Sequence, residues 1–232
     1  MDLLAGRNIE ISKLTIGEEK SPLLVIDNFV ENPDCLAELA ARLNFSRTFQ
    51  YYPGIRAPAP KAFEQLIRSD LQSTILEYFE LDARTLEFSG CDYSLVTTEP
   101  KQLNLYQRIP HFDSLDGDIL ASIYYLFKGE QGGTSFYRHR KTGYEYLDES
   151  RKHAYAKSLE GVNGTADIPP AAYINGDTPL FERIAEQQGI FNRLIIYRGN
   201  SLHSGSISGE FNLDPNPLTG RLTITSFIDP VA

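Results

Sequence analysis

The chain has no tryptophan, one methionine and two cysteines among its 232 residues. So few thiols exclude a disulfide framework and a zinc site of the CxxC kind. Cys35, in an expected helix, and Cys91, in an expected strand, read as buried free thiols. Long apolar runs are also missing. None approaches the ~18–20 residues that span a bilayer, so no membrane partner is expected. The opening MDLLAGRNIEISK lacks the basic-then-apolar order of a secretory signal, and the expected setting is cytoplasmic. Positive charge is in short supply: 22 Lys and Arg face 31 Asp and Glu, for a net charge of −9. A protein that displaces counterions from phosphates needs clustered basic side chains. The one dense cluster, Arg138-His139-Arg140-Lys141, reads equally well as a solvated loop, so nucleic acid is not an expected partner.

What is present suits one domain over 1–232. A hydrophobic content of 41% can fill a core of that size. Residues 1–85 read as a mixed support region. Leu23-Leu24-Val25-Ile26 suggests a buried strand, and Asn32-Pro33-Asp34 is a helix-start signature. Leu36, Leu39, Ala40 and Leu43 then fall on one helical face, to about Asn44. A second helix is expected over 61–79, with Phe63, Leu66, Ile67, Leu71 and Ile75 inward. From 86 the period changes to two, predicting strands at 86–97, 103–108, 119–127, 134–139, 193–198 and 222–228. Thr178-Pro179 followed by Leu180, Phe181 and Ile184 and stopped by Gly189 predicts a short helix within an insert at about 140–190. Residues 140–178 are irregular and read as a lid or a partly disordered stretch. Successive short strands without alternating helices argue for an antiparallel sandwich or barrel: mainly β with flanking helices.

The chemistry-bearing residues are few, because there are only four histidines. In Pro110-His111-Phe112-Asp113-Ser114, residues at i and i+2 on an extended backbone face the same way. An imidazole and a carboxylate can then meet one metal. His203 follows an expected strand ninety-two residues later, in Gly199-Asn200-Ser201-Leu202-His203. Two histidines and one carboxylate suit an open Fe(II) site, whereas a structural zinc prefers four closed ligands, often thiolates. Arg221 opens the last strand with Thr223 on the same face. A planar guanidinium with a hydroxyl beside it suits a carboxylate. Tyr51-Tyr52-Pro53-Gly54-Ile55-Arg56 reads as lining a substrate entrance, with Arg56 meeting an acidic group, or equally as a Pro-Gly turn with aromatic packing. Gly132-Gly133 reads as a turn, and His139 and His153 as surface residues.

The order HxD, Gly132-Gly133-Thr134-Ser135-Phe136, distal His and closing Arg resembles the 2-oxoglutarate/Fe(II)-dependent dioxygenases of the prolyl-4-hydroxylase-like branch. The likeness covers about 20–230, through LLVIDNFVENPDCLAELAARL, LNLYQRIPHFDS, ASIYYLFKGEQGGTSFY and RLIIYRGNSLHSGSI. It implies a double-stranded β-helix (a jelly roll, or cupin-like barrel) over 86–232. It also implies Fe(II) on His111, Asp113 and His203, with 2-oxoglutarate and O₂ as co-substrates. Arg221 matches the anchor of the distal carboxylate, and Tyr106 and Tyr125 stand where the branch often places an aromatic beside the co-substrate. His203 and Arg221 lie eighteen residues apart, with 208–220 as an apparent insertion. The implied activity is hydroxylation of an unidentified small molecule, peptide or protein. Two rivals use the same architecture: a cupin-like metalloprotein working without 2-oxoglutarate, and a non-catalytic binding module.

Overall fold

Extended segments rich in β-branched and aromatic residues pair into two antiparallel sheets in the computed structural model, which describes residues 2–47, 51–163, 165–207 and 213–232. The described residues form ten strands: β1 (Glu10–Ile16), β2 (Ser21–Asp27), β3 (Gly54–Pro58), β4 (Thr85–Val96), β5 (Leu120–Tyr125), β6 (Gly133–His139), β7 (Phe181–Gln188), β8 (Leu194–Arg198), β9 (His203–Ser206) and β10 (Leu222–Val231). The larger, seven-stranded sheet has the order β1-β2-β8-β5-β10-β4-β3, and a three-stranded sheet has the order β7-β6-β9. The fold is therefore mainly β and antiparallel, with few helices.

Each face of the large sheet has its own partner. α1 (Asp34–Ala40) and α2 (Lys61–Tyr78) cover the outer face. Phe63, Leu66, Ile67, Leu71 and Ile75 of α2 pack with Leu24, Ile26, Tyr124, Ile196, Leu222 and Ile224. Burying such side chains contributes roughly 1.5–3 kcal/mol apiece. On the inner face Leu23, Val25, Ala121, Tyr125, Ile195 and Tyr197 meet Phe136 of the small sheet. A third cluster joins Tyr137, Leu147, Tyr155, Phe181 and Leu202, with Phe112 packed against it. It incorporates α3 (Lys152–Glu160), so the irregular stretch after residue 140 carries a helix and a share of the core. Among the described residues no helix is long and apolar enough to cross a membrane. Both cysteines are free thiols, half-buried rather than fully buried.

Several expectations need correction. The strand expected at 103–108 is a pair of 3₁₀ turns, Pro100–Gln102 and Leu105–Arg108. Asn104 and Gln107 close a reciprocal capping box, and the Arg108 guanidinium donates to the Leu103 carbonyl, so local bonds satisfy the backbone. The helix expected after Thr178 is strand β7. Thr178 instead closes a turn, its hydroxyl accepting from the Phe181 amide at 3.0 Å, and the following residues pair with β6. Tertiary pairing outweighs the capping signature there. The first helix stops at Ala40, with no side-chain cap at its start. β1 was not anticipated because it is an exposed edge strand whose apolar residues bury little surface. α3 escaped because few of its residues face the core.

Candidate metal centre

The triad is assembled by a backbone clasp between two distant segments. His111 and His203 exchange amide and carbonyl bonds at 2.8 Å each way, an isolated antiparallel bridge that extends the small sheet beyond β9. Only His111 of the HxD segment takes part in this bridge. The Asp113 amide donates to the Gly199 carbonyl at 2.7 Å, bending the chain so that the carboxylate turns toward both rings. The loop from β8 to β9 thus fixes one ligand through Gly199, and β9 supplies another as its first residue, His203.

The ligand atoms of His111, Asp113 and His203 all lie within 4.8 Å of one another. His203 Nε2 is 3.4 Å from Asp113 Oδ2, and His111 Nε2 is 3.8 Å from Oδ1. The His203 Nδ1 lies 2.9 Å from the Ser201 carbonyl. A carbonyl only accepts, so Nδ1 carries the proton and Nε2 presents its lone pair. The His111 side chain is 53% exposed and that of Asp113 16%. Burial, then the nearby His203 and Arg56, hold the His111 pKa well below the ordinary value, and the imidazole is neutral at neutral pH. Burial raises the Asp113 pKa, with His203 and Arg56 partly offsetting it. Two imidazole nitrogens and a partly buried carboxylate form a donor set that suits a divalent cation.

A second charged group faces the same interior. Arg221 is 5% exposed, donating from Nε to the Gln131 carbonyl at 2.8 Å and from Nη2 to the Gly133 carbonyl at 2.7 Å, with the Phe127 ring 5.2 Å away. Among the described residues no carboxylate pairs with it. Burial lowers its pKa, while Tyr125, Tyr52 and Tyr173 act in the opposite direction. Gly132 and Gly133 do more than turn the chain. Gly132 has φ +78°, a Cβ there would lie 1.7 Å from the Ser206 carbonyl oxygen, and one on Gly133 would lie 2.0 Å from that of Gln187. Only glycine lets the start of β6 pass so close to its neighbours, in the segment whose Gln131 and Gly133 carbonyls accept from Arg221.

Register places a polar row on the inner face of the large sheet. Arg56 pairs with Ser94, Ser94 with Thr223, and Thr223 with Tyr125. Thr225 sits beside Asp92 on that face and shares a 3.0 Å hydroxyl contact with Ser94. The Tyr125 hydroxyl bonds Thr134 at 2.8 Å, and burial pushes its pKa up to about 12. Tyr197 packs 4.7 Å from His203.

Of the residues singled out in the sequence, His111, Asp113 and His203 come together. Arg221, Thr223 and Tyr125 share the inner wall. Tyr106 does not join them: it is 65% exposed on the second 3₁₀ turn, edge-on to Tyr51 at 6.0 Å. His139, expected at the surface, is buried, whereas His153 is exposed. Tyr52, named in the sequence with the entrance segment, lies near Arg221, and Ser94, Tyr173 and Tyr197 were missed. For Ser94 and Tyr197 the available signal was a hydroxyl residue at an inward position of a strand; Tyr173 lies outside any strand and carried none. The expected 208–220 insertion falls partly outside the described residues.

Residues 7–228 match the model of a family of unknown function, DUF6445, and the chain belongs to that family. Among curated proteins none matches. The chain is similar to HygX from Streptomyces hygroscopicus, solved with nickel and 2-oxoglutarate bound, at 14% identity over 91% of this chain and 84% of that one, TM-score 0.49. It is similar to the non-heme alpha ketoglutarate dependent epimerase SnoN from nogalamycin biosynthesis at 12% identity over 85% and 70%, TM-score 0.45. A Pseudomonas putida prolyl-4-hydroxylase is similar at 14% identity over 86% and 88%, TM-score 0.41.

Proposed function

We propose that this protein is an Fe(II)- and 2-oxoglutarate-dependent oxygenase, acting as a hydroxylase on a double-stranded β-helix scaffold. One observation carries the reading. A His-Asp-His donor set within 4.8 Å and a buried guanidinium without a carboxylate partner among the described residues face one interior. The donors fit a divalent metal with open positions, and the guanidinium fits the far carboxylate of a dicarboxylate ligand.

Iron, 2-oxoglutarate and O₂ together would supply the oxidising power, converting 2-oxoglutarate to succinate and CO₂ as a C–H bond is hydroxylated. The chain's own contribution is binding and orientation. His111, Asp113 and His203 hold the metal, and Ser201 fixes the His203 tautomer through its carbonyl. Arg221 is aimed by two backbone carbonyls, which leaves its fork restrained before any ligand arrives. Thr223 and Tyr125 stand beside it as hydroxyl partners. Tyr197 and Phe136 keep water from the side of the site against which His203 packs. Tyr51 and Tyr106 lie exposed where a substrate could rest. The substrate class in this reading is a small molecule, peptide or protein side chain. Nucleic acid and membrane have no part in it, and two free thiols suit a cytoplasmic setting.

The test is an anaerobic titration. Wild type should take up about one Fe(II) per chain, and 2-oxoglutarate should then produce a visible charge-transfer band. His111→Ala, Asp113→Ala and His203→Ala should each lose stoichiometric iron with unchanged far-UV circular dichroism. Iron retained by all three variants would place the site elsewhere. Iron binding without any 2-oxoglutarate band would favour the cupin-like alternative.

A further inference from the structure

The polar row continues past Thr223 to Thr225, which meets Asp92 across β4. Levels along the strands can be compared. Arg221 donates to the Gly133 carbonyl, Gly133 pairs with Ser206, and His203 pairs with Phe136 three residues further along that ladder. Three strand residues cover about 10 Å, and the four from Arg221 to Thr225 about 13 Å. β6 and β10 both lead away from the connection at 126–132, since Thr223 pairs with Tyr125 at the end of β5. Thr225 and Asp92 therefore stand near the level of His203, one strand step beyond the wall assigned to the co-substrate. Arg56, on the neighbouring strand, is close enough for its charge to act on His111 and Asp113.

Two opposite charges share this end of the inner face. Arg56 pairs with Ser94 and Asp92 with Pro58, so Arg56 and Asp92 are diagonal neighbours across β3 and β4. Such positions lie roughly 7–8 Å apart, within reach of long side chains. Arg56, Asp92 and Thr225 each keep part of their surface exposed, so all three are accessible to a ligand. The Tyr52 ring stacks on the Arg56 guanidinium at 4.3 Å, which orients its plane and directs its donors edgewise. Arg56 acts on Asp92 through its charge, with no hydrogen bond between them, and burial raises the Asp92 pKa against that pull. An isolated cation placed here meets the Arg56 charge, and an isolated anion meets Asp92. A molecule with one charge of each sign, a few ångströms apart, complements both. Tyr52 feels both Arg56 and Arg221, so it separates this pair from the guanidinium assigned to the co-substrate.

We propose that the substrate is a small zwitterion of the α-amino acid kind, its carboxylate held by Arg56 and its ammonium by Asp92, beside the Thr225 hydroxyl. The inference rests on the oxygenase reading for the reaction and adds the substrate class.

The test is ligand-observed saturation-transfer NMR on the full chain with 2-oxoglutarate and Zn(II), a diamagnetic substitute for iron. The probes are the common free L-amino acids, and a separate arm follows 2-oxoglutarate alone. At least one amino acid should bind saturably. Its amine, lacking the carboxylate, and its 2-hydroxy acid, lacking the ammonium, should each bind about tenfold more weakly or worse. Asp92→Asn, which is nearly isosteric, should weaken the amino acid to a similar degree and leave the 2-hydroxy acid unchanged. Arg56→Gln should weaken the amino acid and leave the amine unchanged. Both variants should hold 2-oxoglutarate within about twofold of wild type, which also establishes that they fold. Amino acids that all fail to bind while 2-oxoglutarate binds overturn the proposal. So do analogues that bind as tightly as the parent, variants that weaken every ligand alike, or loss of 2-oxoglutarate in Arg56→Gln. Amino acid binding with the expected pattern but no 2-oxoglutarate signal would uphold this site and overturn the oxygenase reading instead.

Discussion

The two faces of the large sheet use alternate residues of the same strands for opposite ends. On β10, Leu222, Ile224 and Ile228 point outward into the helix-covered cluster, whereas Thr223 and Thr225, with Arg221 just before the strand, lie on the face with the polar row. The same split runs along β4, where Tyr93 and Leu95 pack outward while Asp92 and Ser94 face in. The inner face is itself divided. Toward β2 and β8 it is apolar and closes on Phe136; toward β10, β4 and β3 it turns polar. A sheet whose outer face holds the fold can give up apolar burial on part of its inner face. The buried Arg221 and the hydroxyl row cost stability locally and gain a place for a polar ligand.

Arg221→Ala should break the comparison most sharply. If Arg221 meets a ligand carboxylate, its loss should weaken 2-oxoglutarate by ~2–5 kcal/mol, roughly a 30- to 5000-fold change in affinity. Fe(II) binding should stay near normal. Arg221→Lys should recover only part of the loss, since an ammonium cannot reproduce the fork. The measurement is the visible band of the anaerobic complex, titrated in all three proteins; unchanged affinity in Arg221→Ala would remove the assignment.

The outward neighbour should behave in the reverse way. Ile224 is fully buried under the helices, and Ile224→Ala should lower unfolding free energy by about 2–4 kcal/mol through lost burial and a cavity. Below its transition temperature the variant should still form the ternary complex with near wild-type affinity. Denaturant unfolding paired with the same titration reads both quantities. A loss of affinity comparable to that of Arg221→Ala would show that the two faces are not separable.

A third prediction concerns pH and lies away from both faces. The His139 pKa is about 4 in the folded chain, against 6.5 for an unperturbed imidazole. Above pH 6.5 both folded and unfolded chains hold it neutral, and its contribution is constant. As pH falls from 6.5 toward 4, the unfolded chain takes up a proton that the folded chain refuses, so stability falls. The loss should level off near roughly 3 kcal/mol. His139→Gln should flatten the stability profile across that window relative to wild type. An unchanged profile would assign the acid sensitivity to other groups.

Much of this division was legible before the structure. Period-two alternation and β-branched or aromatic content marked β4, β5, β6, β8 and β10 nearly to their ends, and in the large-sheet strands most outward residues are apolar. The HxD segment and the distal histidine were visible because histidine is rare here. What stayed hidden was set by contacts distant in sequence. Thr178-Pro179 carries a local helix signature, but β6 recruits the following residues as a strand. Leu105–Arg108 has strand-like composition, but Asn104, Gln107 and Arg108 spend their hydrogen bonds within the turn, so Tyr106 is carried to the surface. His139 lies in a basic tetrad that reads as solvated, yet α3 and Phe181 cover it. Arg221 was legible through the resemblance and not through its local sequence, since its burial rests on a carbonyl ninety residues upstream, at Gln131.

The smallest predicted effect is also the most local test of the two-faced strand. Thr223 lies between outward-facing Leu222 and Ile224, beside Tyr125 and Ser94 in register. Its hydroxyl makes only a long 3.4 Å bond to the Ser94 carbonyl, so the fold draws little from it. Thr223→Val keeps the branched shape and β propensity while removing the hydroxyl. If that hydroxyl is a third donor to a carboxylate held by Arg221, 2-oxoglutarate affinity should fall by ~0.5–1.5 kcal/mol, roughly two- to twelve-fold. Unfolding free energy should move by less than about 0.5 kcal/mol, because no strong intramolecular bond is lost. Combining Thr223→Val with Arg221→Ala should give less than the sum of the separate losses, since both act on one ligand group. Strict additivity would separate the two side chains into different roles. A stability loss beyond about 1 kcal/mol with unchanged affinity would make Thr223 a structural residue and move the boundary between the two faces by one position.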